Sequence, residues 1–135
     1  MTSTAEYSSN IHAPVSLGEL IDKITILEIK KLHMTGTKLV NVDKELELLK
    51  CILQKQNLEI DSHLFNNLRK VNLTLWDIED RIRIKESKQK FDEEFIQLAR
   101  SVYKKNDRRA SLKRQINKKY NSELVEEKSY NNDLS

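Results

Sequence analysis

The chain predicts an all-α fold, an antiparallel four-helix bundle with long third and fourth helices, on three observations. Only two Gly and one Pro occur in 135 residues, which leaves few sharp turns, and Leu, Ile, Lys and Glu are abundant, as in a chain of a few long helices. Apolar residues recur at three- and four-residue spacing rather than in alternation, the period of a helix and not of a strand. The periodic segments are joined by short polar links, which sets neighbouring helices antiparallel.

Residues 1–13 are small and polar and read as a disordered leader. Order is expected from Pro14 to residue 122, as one domain. Ser16 and Glu19 have capping-box spacing, with Val15 placed to staple against Leu20. The first helix should run to about Met34, with Gly36 as its stop. Stepping about 100° per residue puts Leu17, Leu20, Ile21, Ile24, Leu27 and Leu32 on one arc, with Glu28 in its middle and Lys31 inside it. A second helix is expected over residues 41–56, with Val42, Leu46, Leu49 and Leu53 inward. Asp61 or Ser62 caps a third that reaches Glu86, with the stripe Leu64, Leu68, Val71, Leu75, Ile78 and Ile82.

Continuing the period of the third helix would turn Phe91 away from Ile82, so a turn is expected within residues 87–90. The fourth helix then runs from Phe91 to about Tyr120. Its inner face starts as Phe91, Phe95, Leu98, Ala99 and Val102 and continues as Asn106, Arg109, Lys113 and Asn117. In the tail, residues 123–135, the stretch from Leu124 to Tyr130 is expected to pack back on the bundle. The shorter first pair of helices should leave one end of the long pair projecting.

Bulk properties set limits. The net charge is +3 and the pI about 8.9, too mildly basic to demand a nucleic-acid partner. The basic run Lys104, Lys105, Arg108, Arg109, Lys113, Arg114, Lys118 and Lys119 surrounds its helix without interleaved aromatics, which reads more simply as a solvated face than as a phosphate-backbone track. Cys51 has no second cysteine to pair with, and the polar start lacks a signal-peptide core. Both fit a cytoplasmic protein. The apolar run around Leu20–Leu32 carries Asp22, Lys23, Glu28, Lys30 and Lys31, so no membrane span is expected. Asp77, Glu79 and Asp80 lack a facing acidic pair or a His or Cys partner, so no metal site is expected.

The charged residues on the inner faces are the informative ones, because a buried charge is costly unless it is paired. Helix heights, at about 1.5 Å per residue, put Glu28 level with Asn72 and Trp76 and with the turn from Asn106 to Arg109. Trp76 itself reads as a core-edge aromatic. A ridge of Asn72, Trp76, Glu79, Arg83 and Glu86 runs beside the apolar stripe of the third helix. The structural reading is a set of ion pairs, Glu28 with Arg109 among them, that fix bundle register. The functional reading is an inter-helix pocket for a small anionic ligand. There Arg109 and Lys113 would clamp the anion, Asn72 and Asn106 would supply amide hydrogen bonds, and Glu28 or Glu79 would act as a catalytic base. Glu126, Lys128 and Tyr130 would close over it. The rival to both is a non-enzymatic interaction module that uses the long helices to dimerise or dock. Reaction type and cofactor stay undefined at this stage.

The stretch Pro14-Val15-Ser16-Leu17-Gly18-Glu19-Leu20-Ile21-Asp22-Lys23-Ile24-Thr25-Ile26-Leu27-Glu28-Ile29-Lys30 is distinctive. So, in weaker degree, are Leu75-Trp76-Asp77-Ile78-Glu79-Asp80-Arg81-Ile82-Arg83 and Val102-Tyr103-Lys104-Lys105-Asn106-Asp107-Arg108-Arg109-Ala110 running on to Ile116-Asn117. The tail Leu124-Val125-Glu126-Glu127-Lys128-Ser129-Tyr130 belongs with them. Together they resemble a family of small helical proteins known only as a domain of unknown function, seen in bacteria and marine phages. The resemblance implies no activity. It implies a setting beside sugar-transferring enzymes, hence a nucleotide-sugar or glycan context, and it puts weight on Glu28, Glu79, Asn106 and Arg109.

Overall fold

The computed structural model describes residues 10–122 and Glu127. Among these, all regular structure is helical: α1 (Leu17–His33), α2 (Gly36–Gln54), α3 (Ser62–Ser87) and α4 (Glu93–Lys119). The four form an all-α bundle in up-down-up-down order. Gly18 at the start of α1 meets Asn117 at the end of α4, and His33 at the end of α1 stacks on Trp76 of α3 with ring centroids 4.8 Å apart. The start of α3 is tied to the end of α4 by Tyr120, whose hydroxyl accepts from the Asp61 N–H (2.6 Å) and donates to the Glu59 carbonyl (2.9 Å).

Caps fix three of the four starts. The Ser16 hydroxyl accepts from the Glu19 N–H, Asp61 accepts from the N–H groups of His63 and Leu64, and Asp92 accepts from the Phe95 N–H. The capping box at Ser16 is half used, because the Glu19 carboxylate turns to Lys113 instead of back to its own cap. Val15 is half-exposed.

Gly36 does not end α1 from beyond its last turn. With φ at +61° it is the first residue of α2, so the link is only Met34 and Thr35. The second helix therefore starts well before the expected Asn41. Thr37, Lys38 and Val40, in its first turns, are solvent-exposed, so no inward apolar period marks them.

The central element is α1, which packs against all three other helices. On one side Leu20, Ile24 and Leu27 meet Val42 and Leu46 of α2. On another, Ile21 joins Leu68 and Val71 of α3 and Leu112 and Ile116 of α4. A third buried line, Gly18, Asp22, Thr25 and Ile29, runs at helical spacing beside them. With three sides covered, Ile29 is buried, whereas Leu32, expected inward, is 67% exposed.

The long pair projects. α1 ends level with Trp76, and α3 continues from there to Ser87, roughly 16 Å at about 1.5 Å per residue, before α4 returns. Ile84, Phe91, Ile96 and Tyr103 on this distal hairpin are exposed. The expected burial of Phe91 on an inner face is not found: it lies before the Asp92 cap and packs edge-on against Phe95. The turn at residues 88–89 falls where phase required it. The tail packing and the flap of Glu126, Lys128 and Tyr130 lie outside the described residues. Glu127 alone is described there, with its carboxylate 3.5 Å from the Arg114 guanidinium.

Gly18 lets α1 come close to the α4 backbone. A Cβ at that position would lie 2.5 Å from the Lys113 carbonyl oxygen, and backbone cannot yield as a side chain can. Elsewhere in a helix Gly→Ala stabilises by about 1 kcal/mol. Here Gly18→Ala should destabilise by about 1–3 kcal/mol in urea-melt titrations, and a stabilised variant would contradict this packing.

Candidate functional site

The third buried line of α1 meets the polar half of α4. Asp22 is fully buried, and its carboxylate is held on two sides. Arg109 Nε donates to Oδ1 (2.9 Å) and Nη2 to Oδ2 (2.5 Å), a bidentate fork. Asn72 of α3 donates to the same Oδ1 (2.9 Å) and to the Thr25 hydroxyl (2.9 Å). Thr25 in turn donates to the Asp22 carbonyl (2.8 Å). Arg109 Nη1 also reaches the Asn106 side-chain oxygen (3.4 Å). One carboxylate thus gathers side chains from α1, α3 and α4.

Two further contacts extend this seam toward the start of α1. Lys113, buried, places its ammonium 2.6 Å from Glu19. One turn on, the buried Asn117 accepts from the Gly18 N–H at 2.7 Å. That amide is one of the orphan donors of the first helical turn, so Asn117 of α4 serves as a remote cap for α1.

Four of the six expected site residues therefore lie on one seam. Asn72 and Arg109 converge on Asp22, Asn106 accepts from Arg109, and Lys113 sits beside them on Glu19. The two expected acids do not join it. Glu28 points to the other side of α1, toward Arg69 of α3 (3.7 Å), in an open groove it shares with Lys31, Lys50, Phe65 and Asn66. Arg109 opens on a different groove, of about 240 Å³, with Glu19, Asp22, Lys23, Lys30 and Glu45. The expected Glu28–Arg109 cavity is not formed. The height estimate fixes level and not direction: Glu28 lies about 120° around α1 from Asp22, against Arg69, and it is Asp22 that bonds Asn72. Glu79 lies beyond the end of α1, half-exposed and 4.0 Å from Arg83.

Asp22, Thr25 and Glu19 were missed as members of the site. For Asp22 and Thr25 a signal was present: Gly18, Asp22, Thr25 and Ile29 repeat at four, three and four residues, a second stripe beside the apolar arc.

Smaller clamps sit at the two ends of the α3–α4 pair. Near the α4 C-terminus, Lys119 bonds Asp61 (2.5 Å). That bond, helped by the Leu64 and His63 amides, holds the Asp61 carboxyl below the usual carboxylate range and raises the Lys119 ammonium above its own. At the tip, Lys85 lies between Asp92 (2.8 Å) and Glu94 (2.6 Å). Its ammonium is raised by the bonds to Asp92 and then Glu94, and Asp92 is lowered by the same bond. Lys85 also lines a cleft of about 250 Å³ with Arg81, Ile84, Lys88, Lys90, Glu94 and Leu98. Among the described residues no group of three His, Cys, Asp or Glu is placed to hold a metal, and no helix is long and apolar enough to cross a membrane.

The chain belongs to the family of unknown function DUF6165, whose model matches residues 11–135. No curated protein and no solved structure matches it.

Breaking the Asp22–Arg109 pair leaves a buried carboxylate without its cation. Arg109→Ala should lower unfolding free energy by about 3–5 kcal/mol, whereas Arg69→Ala, which frees the partly exposed Glu28, should cost no more than about 1 kcal/mol. Denaturant titration of both variants checks the contrast. Equal, small losses would make the seam incidental.

Proposed function

We propose that this domain is a non-enzymatic interaction module: a bundle locked by its polar seam, presenting the distal α3–α4 hairpin to a partner. One observation carries the reading. The hairpin runs past the end of α1 and exposes Ile84, Phe91, Ile96 and Tyr103, large apolar groups on two helices and their link, with no third helix beside the tip among the described residues. Exposed apolar groups gathered on one projection mark a contact surface more often than scattered ones do.

The polar residues argue in the same direction. The two cations expected to clamp an anion each hold a carboxylate of the same chain, Arg109 that of Asp22 and Lys113 that of Glu19. Of the two expected bases, Glu28 lies against Arg69 and Glu79 against Arg83. This is the arrangement of a register lock. The test is retention on immobilised full-length chain, using extract of the cells that produce it. A stoichiometric partner should be retained by wild type and by Lys38→Glu, and lost by the double variant Ile84→Glu/Tyr103→Glu, with helicity unchanged by circular dichroism. Retention indifferent to the hairpin substitutions would refute the reading.

One observation favours a second reading, a small anionic ligand. The Arg109 side chain keeps 29% exposure and borders the groove that also holds Lys23 and Lys30, so an anion could share the guanidinium with Asp22. The glycan setting implied by the sequence resemblance selects the panel: nucleotides, nucleotide sugars and phosphosugars in a thermal-shift screen. Binding to the native state raises the melting temperature. A rise abolished by the double variant Lys23→Ala/Lys30→Ala would establish this reading, and a flat panel at millimolar concentration would remove it.

A further inference from the structure

In the sequence the basic run of α4 surrounds its helix, but the structure divides it. Arg109 and Lys113 turn to Asp22 and Glu19 of α1, Arg114 to Glu127 and Lys119 to Asp61. Lys104, Arg108 and Lys118 stay exposed, on a side of α4 centred about 180° around the helix from Lys113. Lys105 is exposed beside them, toward α3, and Arg100 joins them one turn earlier. On α3, Asn72 marks the side that meets α1. Lys70, Arg81 and Lys88 are exposed about 160–180° around α3 from it.

The two helices lie side by side with α1 packed against both, so the sides turned from α1 form one shared face. The Asp61–Lys119 and Lys85–Glu94 contacts fix the relative level of the pair. Arg81 then stands opposite Arg100, and Lys70 near Arg108. From Lys88 to the level of Lys118 the face is roughly 40 Å long at about 1.5 Å per residue. Six of its cations, Lys70, Lys88, Arg100, Lys104, Arg108 and Lys118, form no ion pair among the described residues. Two acids share the face: Asp77, 3.6 Å from Arg81, and Glu93 at the start of α4, which accepts from Gln97. The acids at its edges are already engaged, Asp61 with Lys119 and Asp92 and Glu94 with Lys85. The face thus carries more positive charge than the whole chain's net +3, and the rest of the surface is acidic on balance.

We infer that this face binds the phosphate backbone of double-stranded nucleic acid without reading its sequence. Two rows of unpaired cations, on helices whose axes are about 8–10 Å apart, run for about the length of one duplex turn, roughly 34 Å. A one-sided charge distribution also steers a polyanion to that side. A duplex is favoured over a single strand because single strands need aromatic platforms for their bases. Here the exposed aromatics stand off the face: Tyr103 lies about 100° around α4 from Lys104 and Phe91 in the link between the helices. The inference goes beyond the apolar hairpin contact, which uses other side chains of the same two helices. Duplex DNA and duplex RNA share this phosphate chemistry, and binding of either supports it.

Fluorescence anisotropy of labelled duplexes of about 20 base pairs, DNA and RNA, titrated with the full chain at about 50 mM salt, tests it. Binding in the micromolar range is expected, equal for two unrelated sequences and weaker on the order of 1,000-fold by about 200 mM salt. Lys104→Gln/Arg108→Gln should weaken binding by about tenfold and lower the salt slope by about two. Lys38→Gln/Lys44→Gln removes the same charge from exposed positions on α2 and should leave both nearly unchanged. Circular dichroism confirms that both variants keep their helices. Equal weakening by the two pairs would overturn the inference, because net charge alone would then account for the binding. So would the absence of any binding to either duplex. Binding to vesicles of phosphatidylserine and phosphatidylcholine without binding to a duplex would assign the face to a membrane surface and overturn it as well. None of these results depends on capture through Ile84 and Tyr103, so the two readings stand or fall separately.

Discussion

A fully buried carboxylate on the central helix is the constraint around which this bundle is organised. Moving Asp22 out of water is costly unless its oxygens are satisfied. Here that requires Arg109 from α4 and Asn72 from α3 at the same time. Any slip of α1 along either neighbour strands the charge, so a single side chain sets two helix registers. Apolar packing alone would be more forgiving, since Ile21 can meet a leucine at several levels. The glycine contact at Gly18 and the Asn117 cap fix the same register independently, one turn nearer the bundle end.

The same arrangement gives the inner charges an architectural role. Arg109 and Lys113 stand on the seam, but each is held by an acid from α1, as is usual for buried charge. Glu28, in the middle of the apolar arc by helical phase, lies at the border between the α1–α2 and α1–α3 contacts, where its carboxylate can reach both Arg69 and solvent. Among the described residues, the hairpin that α1 is too short to cover carries the exposed Ile84, Phe91, Ile96 and Tyr103.

Much of the fold was legible in the sequence because its signals are local. Ser16 and Asp61 cap helices as their residue types require, the phase break after Ile82 placed the turn before Phe91, and the stripe from Leu68 to Ile78 is buried as read. What was illegible depended on neighbours. The start of α2 at Gly36 lies on a solvated face with no period to betray it. Asp22 sits about 100° around the helix from Ile21, so a one-faced reading of α1 assigns it to solvent. Only a helix enclosed on three sides has a place for it. The candidate site was legible on α4, where polar residues interrupt an apolar stripe, and illegible on α1, whose second stripe mixes Gly, Asp, Thr and Ile and resembles no apolar face.

The most direct measurement is a double-mutant cycle on Asp22→Ala and Arg109→Ala, with unfolding free energies from urea titration. If the buried carboxylate and its guanidinium act as one unit, the double variant should be less destabilised than the sum of the singles by about 2 kcal/mol or more. Additivity within about 0.5 kcal/mol would show that the two side chains act separately, and that the register of α1 is set by something else.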